Sequence, residues 1–169
     1  MSENVMKQIH VEKVTVNIGV GEVGEGVERA VKLLKDMTGK DPVRTQSTMA
    51  AQGFGLREGL NVGAKVTLRG DDARDFLEKV LEANDNELSE NCFDAQGNFS
   101  LGVSEYIDMP NMKYNPEIGM QGFEIAVTLH RPGYRVKDRK DADKLGEDHR
   151  ISPDEAATFM QDEFGVALV

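Results

Sequence analysis

The chain has 169 residues, 39% of them hydrophobic and 30% charged, enough to bury a core without staples and ordinary for a soluble globular protein. No apolar run approaches the roughly 20 residues that span a bilayer, and Met1-Ser2-Glu3-Asn4-Val5 lacks the basic and apolar regions of a signal peptide, so no membrane partner and a cytoplasmic location are expected. The single Cys92 can form no internal disulfide and anchors no metal alone, and the net charge of −10, taken in bulk, argues against nucleic acid, whose phosphates ordinarily call for a basic footprint.

In chain order, Ile9 to Val20 alternates Val14, Val16 and Ile18 with Lys13, Thr15 and Asn17, the period of a half-buried strand. Glycines at 19, 21, 24 and 26 mark a turn, and from Val27 to Met37 the residues Val27, Ala30, Val31, Leu34 and Met37 share a helical face that closes at Thr38-Gly39. Val43-Arg44-Thr45 is a short extended piece, and residues 46–55, without charge or steady period, read as an exposed loop. A second strand runs from Val62 to Arg69, with Ala64, Val66 and Leu68 on one side and Lys65, Thr67 and Arg69 on the other. Asp71-Asp72 opens a helix with an apolar stripe of Ala73, Phe76, Leu77, Val80 and Leu81. Two more alternating strands lie around Phe99–Val103 and Phe123–Leu129, joined by an ordered loop, and Ser152, Pro153 and Glu155 form a capping box for a last helix.

One-sided strands interrupted by amphipathic helices predict a single α+β domain over residues 1–169: two layers, a mostly antiparallel sheet with helices on one face and the other face open. Residues 1–8 are expected to be a flexible N-terminus, 131–150 a basic extension and loop, and 152–165 the C-terminal helix. On the open face, Lys13, Thr15 and Asn17 stand beside Lys65, Thr67 and Arg69. Cations next to small hydrogen-bonding groups suit a ribose-phosphate chain, although solvent-facing strands often carry the same residues.

Charge is also segregated. Between residues 131 and 140, Arg131, Arg135, Lys137, Arg139 and Lys140 oppose only Asp138, with Tyr134 among them as a ring on which a base can stack, whereas Asp71 to Glu90 holds eight acids and two bases.

Rival motifs are weaker. Gly19-Val20-Gly21-Glu22-Val23-Gly24 matches a dinucleotide fingerprint between strand and helix, so a nucleotide-binding enzyme is one alternative. However, the second buried parallel strand with its acidic end is missing, and Glu22 and Glu25 would oppose a pyrophosphate. His10, His130 and His149 lack metal-ligand spacing, Gly119-Met120-Gln121-Gly122 reads as a turn before a strand, and no catalytic constellation or cofactor is expected. An acidic protein–protein adaptor is the other alternative.

The segments Val11–Gly21, Thr38–Thr45, Gly63–Gly70, Gly97–Val103 and Arg131–Val136, in this order, resemble the ribosomal protein five family of the large subunit, in its archaeal form. The resemblance covers about residues 9–165. It implies a non-enzymatic protein whose open sheet face binds 5S rRNA in the central protuberance, with Asn17, Lys40 and Thr67 at the family's contact positions. It also implies contacts with large-subunit rRNA, neighbouring central-protuberance proteins and a small-subunit head protein. A loop toward peptidyl-site tRNA would comprise Gln46, Ser47, Thr48, Met49, Gln52 and Phe54, flanked by Arg44 and Arg57. Two departures stand out. Lys40 replaces a frequent glutamine, exchanging an amide contact for a phosphate contact, and the loop carries none of the family's usual bases, which shifts any tRNA contact to Arg44, Arg57 and backbone groups. The acidic total resembles adaptation to a salty cytoplasm.

Overall fold

The computed structural model describes residues 4–50, 53, 55–110 and 112–169. Its elements are β1 (His10–Gly19), α1 (Glu25–Thr38), β2 (Val43–Gln46), β3 (Asn61–Leu68), α2 (Asp71–Ala83), β4 (Glu87–Leu88), β5 (Phe99–Val103), β6 (Phe123–His130), α3 (Pro153–Phe164) and β7 (Ala167–Leu168). Five strands form an antiparallel sheet of order β2-β3-β1-β6-β5, and with the three helices they make the α+β fold that the alternating strands predict. The chain clusters into two compact units, one from residues up to Val14 with Arg69–Leu101 and Ala126–Val169, the other from Thr15–Leu68 and Gly102–Ile125. No described helix is long and apolar enough to cross a membrane.

In the second unit, Val16, Ile18, Ala64, Val66 and Leu68 are buried, while Lys65 and Thr67 are exposed. Helix α1 packs against β3 and buries Val27, Ala30, Leu33 and Leu34. Leu33 joins the predicted stripe, whereas Val31 and Met37 stay half-exposed, as expected for an apolar arc whose edges meet solvent. Gly39, at φ 66°, ends the helix by donating its N–H to Lys35 O, a left-handed cap that glycine adopts without steric cost. Strands β2 and β3 pair Thr45 with Gly63 and Gln46 with Asn61, so Val62 bulges out of register. Gly63 is where backbones come closest: a Cβ there would collide with Ile18 O and lie 2.9 Å from Thr45 Oγ1.

In the first unit, α2 buries the predicted Ala73, Phe76, Leu77, Val80 and Leu81. The capping box at α3 is complete, with Ser152 Oγ accepting from Glu155 N at 3.2 Å and Glu155 Oε2 accepting from Ser152 N at 3.0 Å. Sequence periodicity gives no sign of the two-residue strands β4 and β7, which pair in parallel as Glu87 with Ala167 and Leu88 with Leu168. Near the N-terminus a 3-10 turn runs over Val5–Lys7, capped by Asn4.

Candidate nucleic-acid interface

The second unit presents an uncovered strand face. Thr15 and Asn17 of β1 are half-buried and Lys65 and Thr67 of β3 are exposed, each between buried neighbours that point to the opposite side. Among the described residues Lys65 makes no ion pair. The cations about α1 behave differently. Lys35 pairs with Asp41 at 2.7 Å, Lys32 with Glu117, and Arg29 with Glu25 at 3.3 Å. Arg44, on β2, grips Glu28 with both nitrogens of one edge, at 3.0 and 2.9 Å. The hydrogen bonds from Arg44 hold the Glu28 carboxyl below its ordinary value. Lys40 is exposed just past the helix end, where its amide donates to Thr38 Oγ1 at 3.3 Å.

The hairpin beyond β2 and β3 continues through Ser47 N to Leu60 O at 2.8 Å and Gly59 N to Ser47 O at 2.9 Å. Ser47 Oγ donates to Met49 O at 2.7 Å, Met49 is 73% exposed, and Gln46, Thr48 and Arg57 are exposed too. Gln52 and Phe54 lie outside the described residues.

In the first unit, Lys13 is half-buried on β1 and Arg69 is exposed. Arg69 is not an uncompensated cation: its Nη1 lies 3.3 Å from Glu12 Oε1. Alternation along the strands passes over Glu12, and a partner 57 residues away leaves no local signature.

The tract from Arg131 departs furthest from its sequence-based expectation. Arg131 is only 4% exposed. Its Nε donates to Lys7 O at 3.0 Å, Nη1 to Arg150 O at 3.1 Å and Nη2 to Glu155 Oε1 at 2.8 Å. A planar guanidinium suits three acceptors in a fixed fork, so this arginine ties three chain segments together from inside the protein. Tyr134, 9% exposed, donates its hydroxyl to His149 O at 3.1 Å and accepts from Ile151 N at 2.9 Å. Burial raises the Tyr134 pKa, and its ring is no open stacking platform. Arg135, Lys137 and Arg139 remain exposed.

The Glu155 carboxyl is held below its ordinary value, first by the Ser152 amide and then by Arg131. A depressed carboxylate contributes stability that is full above its unfolded value of about 4.3 and lost as pH falls through the lower folded value. The expected outcome is an acid-side decline in stability that Glu155→Gln flattens; denaturant titrations of both proteins from neutral pH down to about pH 3 check it, and parallel curves would refute it.

The glycine turn after β1 does not cradle a phosphate. Val20 N and Gly21 N both donate to Val62 O, at 2.9 and 3.1 Å, so amides that a dinucleotide loop would direct at a pyrophosphate are already used. The next strand pair, β2 with β3, is antiparallel, where a dinucleotide-binding unit needs a parallel crossover.

Two family models cover nearly all of the chain: "Ribosomal protein L5" matches residues 4–57, and the model of the C-terminus of the same ribosomal family matches residues 61–161. The chain belongs to the ribosomal protein L5 family. Among its relatives, the large ribosomal subunit protein uL5 of Sulfolobus acidocaldarius is 43% identical over 168 residues, spanning 99% of this chain and 94% of its own. The uL5 protein of Nanoarchaeum equitans is 45% identical over 169 residues, 99% of each chain, and that of Methanobrevibacter smithii 43% identical over 167 residues, 98% of each. L5 is a structural, non-enzymatic family. Membership bears out the resemblance drawn from the motifs and makes the chain a structural constituent of the large ribosomal subunit.

Proposed function

We propose that this L5-family chain binds 5S rRNA through Thr15, Asn17, Lys65 and Thr67 and holds it in the central protuberance of the large subunit of cytoplasmic ribosomes. The observation that carries the reading is the strict alternation of β1 and β3, which buries Val16, Ile18, Ala64, Val66 and Leu68 and leaves an amide, two hydroxyls and the Lys65 ammonium on the other side. Phosphate neutralisation falls to Lys65, while Thr15, Asn17 and Thr67 supply donors and acceptors for phosphate oxygens and the 2′-hydroxyl. Lys40 adds a cation at the end of α1, and Arg135, Lys137 and Arg139 supply further phosphate contacts in the first unit. Arg69 and Lys13 serve more weakly, Arg69 because Glu12 offsets its charge. The chain's net charge of −10 is compatible with RNA because neither the Thr15–Gly19 stretch of β1 nor β3 carries an acid.

The hairpin tip offers peptidyl-site tRNA Thr48, Met49 and Arg57, without Arg44, whose guanidinium is engaged by Glu28. Other contacts of the chain go to large-subunit rRNA, neighbouring proteins of the protuberance and a protein of the small-subunit head.

Replacing both Asn17 and Thr67 by Ala is expected to weaken 5S rRNA binding about 10-fold or more, from hydrogen bonds worth about 1 kcal/mol each, with the melting temperature unchanged. Filter binding at one fixed salt concentration measures this; full affinity in the double variant would exclude the face.

A further inference from the structure

The basic tract acquires a different role once Arg131 and Tyr134 are placed inside the protein. Arg131 holds the carbonyl of Arg150, and the Tyr134 hydroxyl holds His149 O and Ile151 N. The chain from His149 to Ile151 is thereby pinned by two buried side chains. Its Arg150 lines a cavity of about 510 Å³ that also takes in Thr128 of β6 and Gln96 of the turn before β5, a size within the range of small-ligand sites. Three cations line it, Lys137, Lys144 and Arg150, against one carboxylate, Asp143.

Two features bear on what these cations can hold. In a chain with 30 acids and 20 bases, helix-borne cations such as Lys32, Lys35 and Arg74 meet carboxylates, yet among the described residues none of the three in the cavity is ion-paired. The Asp143 carboxylate accepts from the Lys144 amide at 2.7 Å, a local turn, and leaves the ammonium groups uncompensated. Lys137 is also positioned: its Nζ lies 5.4 Å from the centre of the Tyr134 ring, a cation–π geometry. Leu129 and Leu145 give the cavity apolar surface beside its hydroxyl and amide groups. Net positive charge, hydrogen-bonding groups and apolar wall together match a phosphate, a ribose and the face of a base.

We propose that this cavity binds one phosphate-bearing nucleotide of single-stranded RNA, its phosphate held by Lys137, Lys144 and Arg150. The proposal rests on the RNA-binding reading above and adds a second point of attachment, confined to the first unit. Arg150 is held through its backbone and Lys144 is exposed, so both side chains can be removed without disturbing the buried scaffold.

The test titrates a 5′-phosphorylated oligouridylate pentamer, and separately inorganic phosphate, into the intact chain and into the double variant Lys144→Ala, Arg150→Ala. The expected result is pentamer binding weakened about 10-fold or more in the variant, with the slope of log affinity against log salt smaller by about 1, and inorganic phosphate much weaker than the pentamer throughout. Pentamer affinity unchanged in the variant, or no tighter than that of inorganic phosphate, would overturn the assignment. The double variant at Asn17 and Thr67 is titrated in parallel. It should keep the pentamer while losing 5S rRNA affinity, so failure of the cavity and failure of the strand face give different patterns.

Discussion

Arg131→Ala should lose about 2–4 kcal/mol of folding stability, more than any other single polar substitution in this chain is expected to cost. The truncation removes three charge-assisted hydrogen bonds at once and strands their acceptors. Lys7 O and Arg150 O lose a donor in a partly buried place, and the Glu155 carboxylate keeps only the Ser152 amide. Because Glu155 is about half exposed, water compensates part of its loss, which keeps the figure below that of a fully buried pair broken on one side. Arg131→Lys should recover little, since one ammonium cannot reach three acceptors spread along a fork. Chemical denaturation gives the number, and a loss under about 1 kcal/mol would mean that the N-terminal turn and α3 hold without this residue. The same variant should weaken oligonucleotide binding, since Arg150 then loses the donor that fixes its carbonyl.

Gly63→Ala is expected to destabilise the protein by about 1–3 kcal/mol, the usual cost of forcing an extra carbon into filled space. The obstacle is the backbone of β1. The new Cβ meets Ile18 O well inside contact distance and comes to 3.4 Å from Gly19 Cα. Rotation of a side chain relieves neither contact, so β3 must move away from β1. Asn17 adjoins the obstructed Ile18, and Thr67 lies on the displaced strand, so 5S rRNA affinity should fall along with stability. A variant with native stability and native affinity would show that the two strands can part without consequence for the face. The double variant at Asn17 and Thr67 provides the contrast, because it alters the face and leaves the strands where they are.

Much of the fold is legible in one dimension. Val14, Val16 and Ile18 alternate with polar residues, and so do Ala64, Val66 and Leu68; a period of two reports the side of a sheet wherever one side is dry. The stripe on α2 and the Ser152 capping box are equally local, set by residues within one or two turns of each other. Arg131 and Tyr134 are not legible in this way, because a basic, aromatic tract looks the same whether it faces solvent or folds inward. Lys7 O, the acceptor that commits Arg131, is 124 positions away. Arg69 passes for an uncompensated cation for the same reason, its partner Glu12 lying far off in sequence. The pairing of β4 with β7 joins segments of two residues each, too short to carry any period.

Local order along the chain sets which residues form strands and helices, which side of each is apolar and, through the ordered motifs, the family. Those properties follow from neighbours a few positions apart, whose spacing fixes geometry before any long-range contact exists. Which cations are neutralised, which are buried as ties and which line a cavity is settled by folding alone. Ion pairing and burial depend on what distant segments bring within a few ångströms, and the order of charges along the chain does not encode that distance.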